Sequence, residues 1–151
     1  MVNEMIPKGH ARKVPDDRLE ANKGKVWYLP HQGIYHPRKT HKIRVVFDYS
    51  ARREGTSFNS QLMPGPDLTN SLVGVLTRFR QDRIAFMSDI ESMFHQVYVP
   101  DEHCDFLRFL WWPKADLEAV IKEYQMTVRL FGAASSPSCC NFALKQTARD
   151  T

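Results

Sequence analysis

The chain has 151 residues at 17.5 kDa, 42% hydrophobic and 25% charged, with a formal net charge of +4. This is ordinary globular usage for one domain or a piece of a larger one, which excludes disordered, collagen-like and coiled-coil classes. No stretch reaches the roughly 18 apolar residues of a membrane span, the N-terminus MVNEMIPKGHARKVPDD has no apolar h-region of a secretory signal, and three cysteines make no disulfide framework. The charge is asymmetric. Residues 1–53 carry 12 Lys+Arg against 5 Asp+Glu, and residues 54–151 carry 9 against 12. A basic front of this kind points to a polyanion partner. A solvated leader whose lysines serve solubility explains the same numbers equally well.

In chain order, residues 1–24 read as a basic leader without sustained period, free to be disordered, punctuated by Pro7, Gly9, Pro15, Asn22 and Gly24. VWYLP and GIYHP then read as strand-like, their prolines placing them at edges or turns. A basic turn from His36 to Lys42 follows, and Ile43–Asp48 reads as a β-branched and aromatic strand. Residues 50–66 read as a loop ending in Pro64-Gly65-Pro66. Asp67 is placed to cap a helix running to about Gln81, with Leu68, Leu72, Val75, Leu76 and Phe79 on one face as core. Ile84–Ser88 reads as a short buried strand delivering Asp89. Residues 95–99 and 104–112 read as further strands, and 114–123 as a short charged helix. From Tyr124 to Phe131 the pattern alternates strictly, with Tyr124, Met126, Val128 and Leu130 on one face. A Gly132–Ser136 loop leads to a last helix with Ser136 as cap, Pro137 at its first position, and Phe142, Ala143 and Leu144 burying it. Strands and helices do not alternate regularly, so the expected fold class is α+β.

The segment around Asp89-Ile90-Glu91-Ser92-Met93-Phe94-His95-Gln96-Val97 carries the most chemical information. A rigid strand ending in a carboxylate, followed by a turn that offers a backbone carbonyl, is suited to holding a divalent ion. A helix N-cap uses an Asp in the same place. Glu91 reads as a solvated turn residue. His103-Cys104 and Cys139-Cys140 lack the usual C-x₂₋₄-C spacing of a zinc site and read as buried thiols.

DIESMFHQV resembles the first carboxylate motif of reverse transcriptases. Two other segments resemble the same family in the same order. KIRVVFDYSAR is similar to its fingers strand, with Arg44 and Asp48, and RLFGAASSPSCCNFAL to its Gly-x-x-x-Ser-Pro loop and helix, with Gly132, Ser136 and Pro137. The Phe-Gly variant, together with FLWW after the first motif, resembles the BEL/Pao class of LTR retrotransposons. The resemblance spans about residues 28–149.

It implies a right-hand polymerase fold: fingers plus an incomplete antiparallel palm sheet packed on helices, over residues 25–151. It also implies roles. Asp89 is the catalytic carboxylate and, with the Ile90 backbone carbonyl, a ligand of Mg²⁺ or Mn²⁺. Arg44, Phe94, Phe131 and Gly132 bind the incoming nucleotide, and Arg38, Lys39 and Lys42 contact nucleic acid weakly. Arg44 read without the resemblance is a surface ion pair to Asp48, and Phe94 is either a core aromatic or the steric gate against a 2′-hydroxyl. Implied partners are an RNA or DNA primer–template and deoxynucleoside triphosphates, with no membrane; the implied location is intracellular, in cytoplasmic retrotransposon particles and the nucleus. Two departures stand out. Phe131 replaces the usual Gln, and no Asp-Asp pair of a Tyr-x-Asp-Asp hairpin follows Asp89. Polymerases use two metal ions about 3.5–4 Å apart, so these residues alone are expected to be inactive. The alternative is a non-enzymatic nucleic-acid-binding remnant of a transposable element.

Overall fold

The alternating segment Tyr124–Leu130 forms the spine of the molecule: all four of its apolar residues are buried. The computed structural model describes residues 2–20, 24–36 and 39–150, and of residues 36 and 39–42 the backbone alone. In chain order the elements are helix α1 (Val2–Met5) and strands β1 (Ala11–Lys13), β2 (His31–His36), β3 (Lys39–Phe47), β4 (Arg52–Arg53) and β5 (Thr56–Ser57). Helices α2 (Phe58–Gln61) and α3 (Leu72–Phe79), strands β6 (Arg108–Trp111) and β7 (Lys122–Met126), and helix α4 (Ser136–Thr147) follow. Short 3₁₀ turns occupy Asp16–Arg18, Met93–Gln96, Asp101–Leu107 and Pro113–Ala115. The fold is mixed α+β, with small antiparallel sheets and few helices.

Strand β7 is central in a three-stranded antiparallel sheet of order β1-β7-β6. Gln125 faces Arg12 on one side and Arg108 on the other. Beyond β7 the chain stays extended: Tyr98 bridges Val128, and the Val97 carbonyl accepts from the Arg129 amide at 2.8 Å. Strands β2 and β3 form a separate hairpin, irregular between Tyr35 and His36. Its inner end packs on the sheet through rings: Phe47 meets Phe109 edge-on at 5.3 Å, and His31 sits against Phe47, Phe109 and Trp111. Burying a side chain such as Phe109 or Met126 contributes about 1.5–3 kcal/mol each.

A buried arginine ties these parts together. Arg108 is 1% exposed; its Nε and Nη2 donate to Asp105 Oδ1 at 3.0 and 2.8 Å, and its Nη1 to Glu123 Oε2 at 3.0 Å. Nη2 also donates to the Arg18 carbonyl at 2.6 Å, and the Tyr28 hydroxyl donates to Glu123 Oε2 at 2.8 Å. A charge this deep is tolerated because every edge of its planar fork finds an acceptor.

The leader differs from its sequence reading. Ala11–Lys13 supplies an edge strand, Val2, Ala11 and Val14 are fully buried, and the guanidinium groups of Arg12 and Arg18 both pair with Asp101. Three residues were too few for a period to show. Part of the basic front is therefore neutralised within the fold, which weakens the charge argument for a polyanion partner at these positions.

Other expectations need correction. Residues 84–88 are not a buried strand: Ile84, Phe86 and Met87 are 85–89% exposed. A strand needs a neighbour to complete its ladder, and among the described residues none runs alongside. Helix α3 is shorter than expected, and Asp67 does not cap it; its carboxylate closes an Asx turn on Thr69 instead, at 2.9 Å to the amide and 2.6 Å to the hydroxyl. The apolar stripe of α3 faces outward, with no buried residue on the helix. Periodicity says which side of a helix is apolar, but only an opposing apolar face can bury it. Residues 101–107 form a 3₁₀ turn before β6, and 116–121 are irregular in place of the expected helix. Helix α4 starts at Ser136, one residue early; Phe142 and Leu144 are exposed, and Ser136 and Cys140 bury it instead.

Candidate functional site

Two segments distant in sequence meet at one place. The Met93–Gln96 turn follows Ser92, a non-glycine residue held in the left-handed region at φ 52°, and Gln96 Nε2 closes the turn on the Glu91 carbonyl at 3.0 Å. This lifts Phe94 towards Phe131, and the two rings meet edge-on at 5.7 Å and 71°. The favourable quadrupole geometry of such a pair is worth about 0.5–1.5 kcal/mol. Phe94 is half-buried, while Phe131 is 76% exposed, so one ring supports the other.

Gly132 follows at φ 101°, a left-handed conformation that favours glycine. An added Cβ there would lie 3.5 Å from the Phe47 carbonyl oxygen, so the loop runs directly against the end of β3. Asn59, on which the sequence gives no hint, fixes that approach. Its Nδ2 donates to the Gly132 carbonyl at 2.9 Å, and its Oδ1 accepts from the Ala134 amide at 2.8 Å. Its own amide donates to the Tyr49 carbonyl at 2.9 Å. An Asn inside a polar loop has no periodic signal, so spacing could not reveal it. Gly65, in the Pro-Gly-Pro turn, packs so closely on α4 that a Cβ would lie 2.9 Å from Ser138 Cβ.

Among the described residues no hydrogen bond, ion pair or ring contact joins Asp89 or Arg44 to this pair. Asp89 and Ile90 lie exposed on the chain entering the turn, and Glu91 is exposed too. Asp89 has no hydrogen bond or ion pair among the described residues. One carboxylate and one carbonyl make a partial shell for Mg²⁺, which such sites complete with substrate phosphates and water. Among the described residues no group of three or more His, Cys, Asp and Glu side chains is clustered. Arg44 is exposed on β3 opposite Ile34, and no ion pair joins it to Asp48. Asp48 Oδ1 instead accepts from the Ser50 and Ala51 amides at 2.8 and 3.0 Å, shaping the turn after β3. Arg38 lies outside the described residues, as do the side chains of Lys39 and Lys42, whose backbone belongs to β3.

Next to the aromatic pair in sequence, His95 packs against His10 of the leader, with ring centroids 4.9 Å apart and the rings tilted by 51°. Burial lowers both imidazole pKa values, helped at His95 by His10 and at both by Lys8. Burial also raises the Cys104 and Cys140 thiol pKa values, away from reactivity. Among the described residues no helix is long and apolar enough to cross a membrane. Compared with known proteins, the chain matches no protein-family model and no curated sequence.

Proposed function

We propose that the chain is the fingers and the first part of the palm of a reverse transcriptase of the BEL/Pao kind, serving RNA- and DNA-templated DNA synthesis. The observation that carries this reading is the meeting of Phe94, five positions after Asp89, with Phe131-Gly132. These residues come from two of the three segments that resemble the family, and nothing in their sequence separation requires them to touch. The pair is supported from behind and open in front, as a surface that receives a sugar and base must be.

The roles follow from the chemistry of the side chains. Asp89 and the Ile90 carbonyl offer oxygen ligands, and a divalent ion held there would neutralise charge on a triphosphate. Arg44, exposed and without an ion pair to Asp48, presents a planar fork suited to phosphate oxygens. Gly132, without a side chain, lets a nucleotide approach the backbone. The second reading, a non-enzymatic nucleic-acid-binding remnant of a transposable element, draws on the exposure of Arg44, Arg52 and Arg53.

Primer extension tests the proposal. The 151-residue chain alone should extend no primer with Mg²⁺ or Mn²⁺. Fused to a compatible segment carrying a Tyr-x-Asp-Asp hairpin, it should extend one, and Asp89→Asn should abolish that activity. A folded fusion that binds primer–template without extending it would favour the binding remnant. Extension that survives Asp89→Asn would refute the assignment of Asp89.

A further inference from the structure

Behind the Asn59 latch lies a cavity of about 450 Å³, within the size range of small-molecule pockets. Its walls are mostly apolar, built from Phe58, Leu62, Phe106 and Leu130, and Tyr49, Gln61, His103, Arg129, Ser135 and Ser136 supply polar groups. No Asp or Glu lines it. Arg129 is the anomaly. Its Nε is shielded from solvent and has no hydrogen-bond partner, and its Nη1 makes only a long bond of 3.3 Å to Ser135 Oγ. Arg129 is half-buried and, among the described residues, has no carboxylate partner, whereas Arg108 finds an acceptor on every edge. The amide of Arg129 is already held by Val97, so the backbone fixes where this cation sits.

We propose that this cavity binds a small organic anion: a carboxylate on a single aromatic or branched aliphatic body, with the carboxylate on the Nη end of the Arg129 guanidinium and on Ser135. The apolar walls accept the body. The guanidinium supplies two parallel donors matching a carboxylate, and the N-terminus of α4, beginning at the next residue, adds a favourable field. The proposal rests on the cavity and Arg129, and does not depend on the polymerase reading.

The test uses the full chain and phenylacetate, with phenylacetamide and inorganic phosphate as comparison probes, followed by calorimetry. Phenylacetate should bind at one saturable site, and phenylacetamide about tenfold or more weaker, the loss of one charge-assisted hydrogen bond. Phosphate, lacking the apolar body, should not bind measurably. Arg129→Met should weaken phenylacetate by a similar factor while the melting temperature confirms folding. A second readout needs no variant. Cys139 lines the cavity and is half-buried, so phenylacetate should slow its alkylation by iodoacetamide with the same concentration dependence as the heat. Equal binding of acid and amide, or alkylation of Cys139 unaffected by saturating phenylacetate, would overturn the proposal.

Discussion

Asn59→Ala removes the clasp between the β5–α2 region and the Gly132 loop, and its cost can be worked from two distances. The side chain makes hydrogen bonds of 2.9 Å to the Gly132 carbonyl and 2.8 Å to the Ala134 amide. Each contributes a net 0.5–1.5 kcal/mol, roughly, and a partly buried amide left without a partner costs about 1–3 kcal/mol more. The expected loss is therefore about 3 kcal/mol, a large share of a total that is typically about 5–15 kcal/mol. At this chain length that lowers the melting temperature by roughly 6–12 °C. Asn59→Asp refines the test. Its carboxylate keeps the bond from Ala134 but faces the Gly132 carbonyl with negative charge; protonated, it donates to that carbonyl. The folded state then prefers the acid, raising its pKa above the unfolded value of about 3.9. The recovered stability is complete below that value and is lost as the pH rises through the folded pKa. Urea unfolding across pH measures both effects. An Asn59→Ala loss below about 0.5 kcal/mol, the level of an ordinary surface change, would refute the clasp.

Three further outcomes are expected. The His10–His95 contact is favoured by neutral rings, so its contribution is fully present above the unfolded pKa near 6.5 and declines as the pH falls through that value towards the lowered folded pKa values. His31, lowered by burial, titrates in the same window, so His95→Gln should reduce the slope of stability against pH without removing it. Arg44, Arg52 and Arg53 changed together to Gln should reduce the salt dependence of RNA or primer–template binding, by about 0.7–0.9 in log–log slope for each phosphate that these side chains neutralise; an unchanged slope would show the three charges to be merely solvated. In the active fusion, Phe94→Val should admit ribonucleotides while sparing deoxynucleotides, because the 2′-hydroxyl then loses a desolvation barrier of about 1–3 kcal/mol; parallel loss for both sugars with a lowered melting temperature would identify Phe94 as core only.

What the sequence revealed follows from what each signal encodes. Strict alternation identifies Tyr124–Leu130 as the sheet spine, and β-branched density identifies β3, because both features record burial residue by residue. The β4–β5 hairpin falls inside a stretch that reads as loop, although it carries a legible signal. Glu54 and Gly55, both at positive φ, form the two-residue turn that antiparallel strands favour, and Glu-Gly is a weaker signature of it than Asn-Gly. Strand β1, the Arg108 network and the Asn59 clasp are hidden for another reason. Each depends on partners far along the chain, and no local window contains both halves. Of the candidate site, the resemblance singles out the Phe94 and Gly132 segments as an expectation, but their meeting is visible only in the structure. The outward-facing stripe of α3 shows the converse: an apolar pattern that is present in the helix while, among the described residues, no surface buries it.

The placement of β1 has a consequence for how the molecule is made. Thr127 Oγ1 donates to the Gly9 carbonyl across 118 residues, and among the described residues β1 has only β7 as its neighbour. During synthesis at about 5–20 residues per second, β1 waits on the order of ten seconds before β7 emerges to receive it. Loop closure over such a span is slow, and Val2, Ala11 and Val14 stay uncovered for that interval. The segment that carries β1 is thus exposed to chaperones and proteases until β7 has been translated.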